Sequence, residues 1–173
     1  PNRLLEIRKL CDQKNLILFE DNCESFGAKY KGKLAGTWGH VGTFSSYFSH
    51  HLNTIEGGLI LTESKTLSSI IRSIRSHGWD RGLDLTVKEI TQNKKKKSTF
   101  TNGFDFYYPG YNIRPMELSA VIGMVQLKKV NKLIKVRRNN AKIFEKIIHS
   151  MPYLKSQKET GESSWFSFSI IVH

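Results

Sequence analysis

Asn15-Leu16-Ile17-Leu18-Phe19-Glu20-Asp21-Asn22-Cys23-Glu24-Ser25 carries two signals in one stretch. Residues 15–21 are a short continuous apolar run that ends in two carboxylates. Such a run is expected in a parallel strand buried on both faces. In open parallel sheets, ligands bind beyond the carboxyl ends of the strands. Asp21 and Glu24 follow such an end, which makes them candidate ligand-binding groups. On their own they fit equally well as carboxylates that stabilise a loop.

Upstream, Leu4, Ile7, Leu10 and Cys11 recur at helical spacing after Asn2, a candidate N-cap. Downstream, a Gly-rich segment from Gly27 to Gly42 contains the turn signal Lys31-Gly32-Lys33. Val41 to Tyr47 predicts a second strand, Ser49 to Glu56 a polar connection, and Gly57 to Thr62 a third strand. Ser64 is placed to N-cap a helix running to about Ser76. Residues 80–103 show no period, contain Lys94-Lys95-Lys96-Lys97, and read as a long loop. A second loop spans 107–115, with Pro109-Gly110 as its turn.

From Pro115, at the first helical position, a helical pattern runs to about Ser150. Its apolar members include Leu118, Val121, Ile122, Val125, Leu133 and Ile147, and Pro152 ends it. A closing strand is expected from Trp165. No internal repeat is visible. Strands alternating with helices predict an α/β fold with a largely parallel sheet.

The 173 residues are 39% apolar and 24% charged, which excludes global disorder. No run of eighteen apolar residues exists, so a membrane-spanning helix is excluded. Pro1-Asn2-Arg3 opens without Met, and Trp165 to His173 reads as a strand cut off mid-run. A piece of a longer chain is therefore expected.

Lys plus Arg number 27 against 15 Asp plus Glu, a net charge of +12. That balance raises the possibility of a phosphate-bearing or nucleic-acid partner. The excess sits in Lys94 to Lys97 and along Lys128 to Lys146, and both read as solvated faces. No nucleic-acid-binding module pattern is present. Two cysteines, Cys11 and Cys23, make no disulfide framework and fit a reducing cytoplasm.

Thr43-Phe44-Ser45-Ser46-Tyr47-Phe48-Ser49-His50-His51 places hydroxyls in a strand-to-loop turn, where they suit a phosphate. Either His could serve as a general base, which needs one imidazole that titrates near neutral pH. His40 and His77 lack metal-site spacing, so no metal is expected. Tyr47 and Phe48 are expected in the core. Trp79 fits either a helix-end anchor or a site residue, and Arg137-Arg138 are expected to be surface charge.

Glu20-Asp21-Asn22-Cys23-Glu24-Ser25, Gly27-Ala28, Gly42-Thr43-Phe44-Ser45, Glu56-Gly57-Gly58, and Gly110-Tyr111-Asn112-Ile113-Arg114 before Glu117-Leu118 follow one another in order. This series resembles the sugar aminotransferase family, the pyridoxal 5'-phosphate (PLP) enzymes of the aspartate-aminotransferase fold (fold type I). The resemblance covers nearly the whole chain. It implies residues 1–114 as the latter part of a PLP-binding large domain and 115–151 as a long connecting helix. Residues 152–173 would begin a small C-terminal domain.

Family aminotransferases carry a Lys before the Glu-Gly-Gly that bonds covalently to PLP. Here that position is His50, and no Lys occurs from Leu34 to Ser64. Ser49-His50-His51 resembles the 3-dehydratase branch, as does Glu159-Thr160-Gly161-Glu162-Ser163-Ser164-Trp165-Phe166. One type in that branch uses an iron–sulfur cluster held by cysteines after the His-Gly-Trp segment. No Cys follows His77-Gly78-Trp79, so no iron–sulfur cluster is expected.

The resemblance implies His50 as the catalytic base and acid, and PLP or pyridoxamine 5'-phosphate (PMP) held without a covalent bond. Asp21 would pair with the pyridine nitrogen. Glu24, where the family usually has Gln, would face the ring's oxygen or amine side. Ser45 would bind the phosphate, and Asn112 would reach it from the second subunit of a homodimer. Arg81, Phe104 and Arg114 would line the substrate site, where an Arg from the partner could clasp a carboxylate of glutamate.

The implied reaction removes the C3 hydroxyl of a GDP-linked 4-keto-6-deoxy sugar in deoxysugar biosynthesis, with L-glutamate as amino donor. The implied partners are those two small molecules and a second copy of the chain, in the cytoplasm, with no nucleic acid and no membrane. The alternatives are a sugar aminotransferase of the same family and a catalytically inactive fragment.

Overall fold

The structure is a computed structural model that describes residues 1–79, 83 and 105–172. Its elements in chain order are α1 (Leu4–Gln13), β1 (Phe19–Asp21), β2 (Lys29–Tyr30), β3 (Lys33–Leu34), β4 (Val41–Ser45), β5 (Gly58–Leu61), α2 (Lys65–Ile74), α3 (Glu117–His149), β6 (Leu154–Ser156) and β7 (Ile170–Val172). They form two compact units. One joins residues 1–61 to 117–173, and the other is Thr62–Met116.

In the first unit, β1, β4 and β5 make a three-stranded sheet. The parallel pairing expected of the apolar run occurs between β1 and β4, in the register Phe19 to Val41 and Asp21 to Thr43. β5 returns antiparallel to β4, pairing Ser45 with Gly58 and Gly42 with Leu61. The reason lies in residues 46–57, which contain no helix. A parallel return needs a long crossover, usually helical.

The apolar run itself departs from expectation. The strand begins at Phe19, not Asn15, because Asn15 adopts φ +52° in the turn that leaves α1. Leu16, Ile17 and Phe19 are exposed, so β1 is not buried on both faces. Its inward residue is Glu20. Asn2 is not the N-cap of α1 either. Arg3 takes that place without a side-chain cap, and Asn2 contributes its backbone carbonyl to Leu4 N–H at 2.9 Å.

The turn signal at Lys31-Gly32 closes the β2–β3 hairpin. Both central residues are left-handed, Lys31 at φ +48° and Gly32 at +79°. That is the pattern of a type I′ turn, whose twist matches a hairpin. Tyr30 anchors the hairpin, packing with Leu4, Ala28 and Ala35 and donating its hydroxyl to Glu6 Oε2 at 2.9 Å.

α3 starts at Glu117, so Pro115 precedes the helix and does not open it. Its buried stripe is Val130, Ile134, Ala141 and Ile148. Val130 and Ile134 pack on Leu52 and Phe26. Leu118, Val121, Val125, Leu133 and Ile147 are exposed instead. The closing strand is also shorter than expected, beginning at Ile170. Trp165 stands in left-handed backbone at φ +54°, which no strand accommodates. β6 and β7 pair antiparallel.

In the second unit, α2 is capped as its sequence predicts. Ser64 Oγ accepts the Leu67 N–H at 3.2 Å. The helix ends at Ile74, short of Ser76. The chain then turns through Gly78 at φ +82°, where a side chain would collide with the Tyr108 carbonyl. Fully buried Ser73 donates its hydroxyl to the Trp79 carbonyl at 2.6 Å, so Trp79 anchors the helix end. No helix among the described residues is long and apolar enough to cross a membrane.

Candidate active site

The parallel register of β1 and β4 decides which groups meet. It sets Asp21, the last residue of β1, beside Thr43, two residues before the end of β4 at Ser45. Beyond Ser45 the chain folds back on itself. Ser46 and Thr54 share a hydroxyl–hydroxyl bond of 2.6 Å, Thr54 N–H donates to the Ser46 carbonyl, and His50 N–H donates to the Tyr47 carbonyl. This fold returns His50 toward the strand end, with Nδ1 at 3.4 Å from Ser45 Oγ. Ser45 Oγ also accepts the Tyr47 N–H at 3.2 Å. Asp21, Ser45 and His50 thus sit at the carboxyl ends of adjacent parallel strands, where ligand sites form.

Asp21 is exposed, and its carboxyl lies below the ordinary carboxylate range. The Cys23 thiol is the chief cause, donating to the carboxylate. The Cys23 N–H follows, at 3.1 Å from Oδ1, and the Thr43 hydroxyl adds to it. The same bond raises the Cys23 thiol, because the carboxylate beside it opposes a second negative charge. Asp21 is therefore held ionised.

Its neighbour Glu20 is 6% exposed and points the other way. Glu20 Oε2 accepts the Gly36 N–H at 2.7 Å, and Oε1 accepts those of Trp38 at 2.6 Å and Gly39 at 2.5 Å. Three amides of the Gly-rich loop converge on one buried carboxylate. Gly36 sits at φ +86°, and a side chain there would meet the Phe44 ring, so the loop lies directly on β4. Buried Asn22 continues the brace. Its N–H reaches the Thr43 carbonyl, and its Oδ1 accepts the Ser25 hydroxyl at 2.9 Å.

His51 takes a different part from His50. It is 3% exposed, and its Nε2 lies 3.0 Å from the Ser164 carbonyl, so that nitrogen carries the hydrogen. Burial pushes the imidazole below its ordinary value, and the positive charge of Arg137 adds to that, against the raising effect of the Ser164 bond. A neutral, buried, hydrogen-bonded imidazole is a structural group.

Arg137 and Arg138 are not surface charge as expected. Arg137 Nη1 donates to the Trp165 and Phe166 carbonyls at 3.0 and 2.9 Å. Arg138 Nε donates to the Ser163 carbonyl at 2.9 Å. Tyr47 and Phe48 are not core either. Both are exposed and meet edge to face at 4.4 Å between ring centres. They lie outside the core because the loop after Ser45 closes through its Ser46–Thr54 polar contacts.

Glu24 is exposed and borders a recess of about 590 Å³, shared with Asp21, Asn22 and Ser25. Asn112 and Arg114 lie in the second unit. Asn112 forms an isolated bridge with Ser76, and the Arg114 guanidinium stands 6.0 Å from the Trp79 ring centre. Arg81, Phe104 and Lys94 to Lys97 lie outside the described residues. Sequence reasoning missed Glu20, Asn22, Arg137 and Arg138. The one available signal was the Glu20-Asp21 pair, since adjacent strand residues face opposite ways.

A mixed sheet with a carboxylate and a hydroxyl at neighbouring strand ends is compatible with a phosphate-bearing cofactor site. The family model of the DegT/DnrJ/EryC1/StrS aminotransferases matches residues 1–173, and the chain belongs to that family. A GDP-4-keto-6-deoxy-D-mannose 3-dehydratase of Yersinia pseudotuberculosis is 48% identical over 172 residues, 99% of this chain and 43% of that protein.

A solved structure of GDP-4-keto-6-deoxymannose-3-dehydratase, a His-to-Asn variant with bound GDP-perosamine, is 47% identical. It superposes with a TM-score of 0.88 over all of this chain and 44% of that one. Another structure of the same enzyme holds a trapped PLP–glutamate geminal diamine, with 47% identity, a TM-score of 0.88 and the same coverage. The chain spans less than half the length of the relatives it matches.

Proposed function

We propose that the protein carrying this chain is a PLP-dependent GDP-4-keto-6-deoxy-D-mannose 3-dehydratase of deoxysugar biosynthesis. The observation that carries this reading is His50 facing Ser45 at the end of β4, in a segment where residues 34–64 contain no Lys. The donor set fits pyridoxamine phosphate held without a covalent bond. A carboxylate kept ionised stands at one strand end and a hydroxyl at the next. Bound there, the cofactor would supply a primary amine for the sugar's C4 ketone and an electron-withdrawing ring.

The chain's own groups do the rest. Asp21 would hold the ring nitrogen protonated. Ser45 would donate its hydroxyl to the phosphate, with Tyr47 N–H fixing the oxygen. With Nδ1 turned to Ser45, His50 would present Nε2 to the reacting carbon. Nε2 would take the proton from the cofactor's C4′ carbon and pass one to the departing C3 oxygen, acting as base and then acid. Two electrons come from glutamate, which leaves as 2-oxoglutarate and ammonia while the sugar loses one oxygen.

Glu24 would face the ring's oxygen or amine side. The partner subunit's Asn112 would reach the phosphate in a homodimer. Arg81, Phe104 and Arg114 are proposed to bind sugar and glutamate. Residues 1–114, 115–151 and 152–173 would serve as part of the large domain, connecting helix and start of the small domain. The proposed compartment is the cytoplasm, and a colitose-type lipopolysaccharide sugar is the proposed destination.

The second reading is an aminotransferase of the same family, and borohydride separates the two. Reduction of the whole protein loaded with PLP should leave the polypeptide mass unchanged and the cofactor removable by dialysis. An added pyridoxyl mass on a Lys would establish the aminotransferase reading.

A further inference from the structure

Four successive backbone carbonyls, from Ser163 to Phe166, are each tied down by a side chain. Ser163 accepts from Arg138 Nε, Ser164 from His51 Nε2, and Trp165 and Phe166 from the two hydrogens of Arg137 Nη1. Trp165 is buried at φ +54° and stacks on Phe168 at 5.2 Å, which locks the bend. The bend sends Phe166 toward the loop after β4. Its ring centre lies 5.1 Å from that of His50, tilted by 33°, and 6.0 Å from that of His51. The Arg137 guanidinium lies 5.9 Å from the same Phe166 ring.

Among the described residues, His50 has few other restraints. Its backbone bonds to Tyr47, Tyr47's ring meets it edge-on at 6.0 Å, and Ser45 stands at 3.4 Å. Neither ring contact nor the long Ser45 contact fixes the imidazole torsion alone. The Phe166 ring, 5.1 Å away and tilted by 33°, adds a third neighbour and lies nearer than the Tyr47 ring.

We infer that Phe166, clamped by Arg137, is a positioning residue that sets the orientation of the His50 imidazole for the reaction. The inference rests on His50 as the proton carrier. It adds a device built from residues 163–166, a strap that reaches His50 through the Phe166 ring. A reactive group displaced by about 1 Å loses on the order of a hundred-fold in rate, so the strap matters through the position it gives His50.

The test uses the whole protein with Phe166→Ala, Phe166→Tyr and Arg137→Met. The first readout needs no cofactor: diethyl pyrocarbonate modification of His50, with buried Cys11 as a thiol-labelling control for folding. Phe166→Ala should speed His50 modification while Cys11 stays protected. Its kcat should fall about ten- to a hundred-fold, with KM for the GDP-sugar within about two-fold. Phe166→Tyr should restore both, and Arg137→Met should move both in the same direction as Phe166→Ala.

Unchanged His50 modification and unchanged kcat in Phe166→Ala would overturn the inference. So would a loss that Phe166→Tyr does not repair. If Phe166→Ala exposes Cys11, Phe166→Leu takes its place under the same criteria. Full activity in His50→Asn would instead sink the proton-carrier reading, whereas the modification rates report on the strap alone.

Discussion

Glu20→Gln replaces a buried carboxylate by an amide of the same shape. It reads directly how much the loop brace contributes. The best orientation of the amide puts its oxygen where Oε1 stands, keeping the Trp38 and Gly39 donors, and turns its NH2 toward the Gly36 N–H. One charge-assisted bond is then lost, roughly 1.5–3 kcal/mol, and two others weaken by about 1 kcal/mol each as the acceptor loses its charge. The sum is about 3.5–5 kcal/mol, a large share of the 5–15 kcal/mol typical of a folded domain.

Urea unfolding of the whole protein, monitored by Trp fluorescence, gives the change in midpoint and slope. Hydrogen exchange of the peptide holding Gly36 to Gly39 locates it. Faster exchange there is expected, together with a destabilisation of that size. A change below about 1 kcal/mol with unaltered exchange would refute the claim that this carboxylate holds the loop.

Two further outcomes follow from the same neighbourhood. Cys23→Ala removes the chief donor to Asp21, so the Asp21 carboxyl should titrate closer to its ordinary value of 3.8, as read by carbon-13 NMR; an unmoved titration would contradict the assignment. His51 is buried neutral, with its folded pKa below the ordinary 6.5. The unfolded chain therefore binds the proton first. This contribution is present above that value and is lost as pH falls through the depressed folded pKa. Urea midpoints at about pH 7.5 and about pH 5.5 should diverge more in the native protein than in His51→Asn.

Local chemistry explains which parts of the molecule can be read from sequence. β4, β5 and α2 were legible because each carries its own signal: apolar and β-branched residues next to a glycine in the strands, and the Ser64 cap before the helix. The turn at Lys31-Gly32 was legible from its glycine, but the hairpin it closes was not, because the two-residue strands on either side are too short to carry a pattern. The strand at Phe19 was legible as a strand, but its burial was not. Whether Leu16, Ile17 and Phe19 are covered depends on what packs against them, and among the described residues nothing buries them.

The site divides in the same way. His50 in place of a Lys is visible in sequence because the family motif fixes the position. The brace and the strap are not, because their donors and acceptors lie far apart in the chain. Glu20 waits for amides at 36–39, and Arg137 for carbonyls at 165 and 166. An Arg pair on a helix looks like surface charge until the chain brings the carbonyls of Ser163, Trp165 and Phe166 over it.

The central claim is that the whole protein removes an oxygen from a nucleotide sugar with His50 as the proton carrier. The direct measurement incubates it with PLP, L-glutamate and GDP-4-keto-6-deoxymannose and reads the sugar product by mass spectrometry. The account predicts net loss of one oxygen, abolished by His50→Asn. Conversion of the ketone to an amine with the C3 hydroxyl retained, or oxygen loss that persists in His50→Asn, would contradict it.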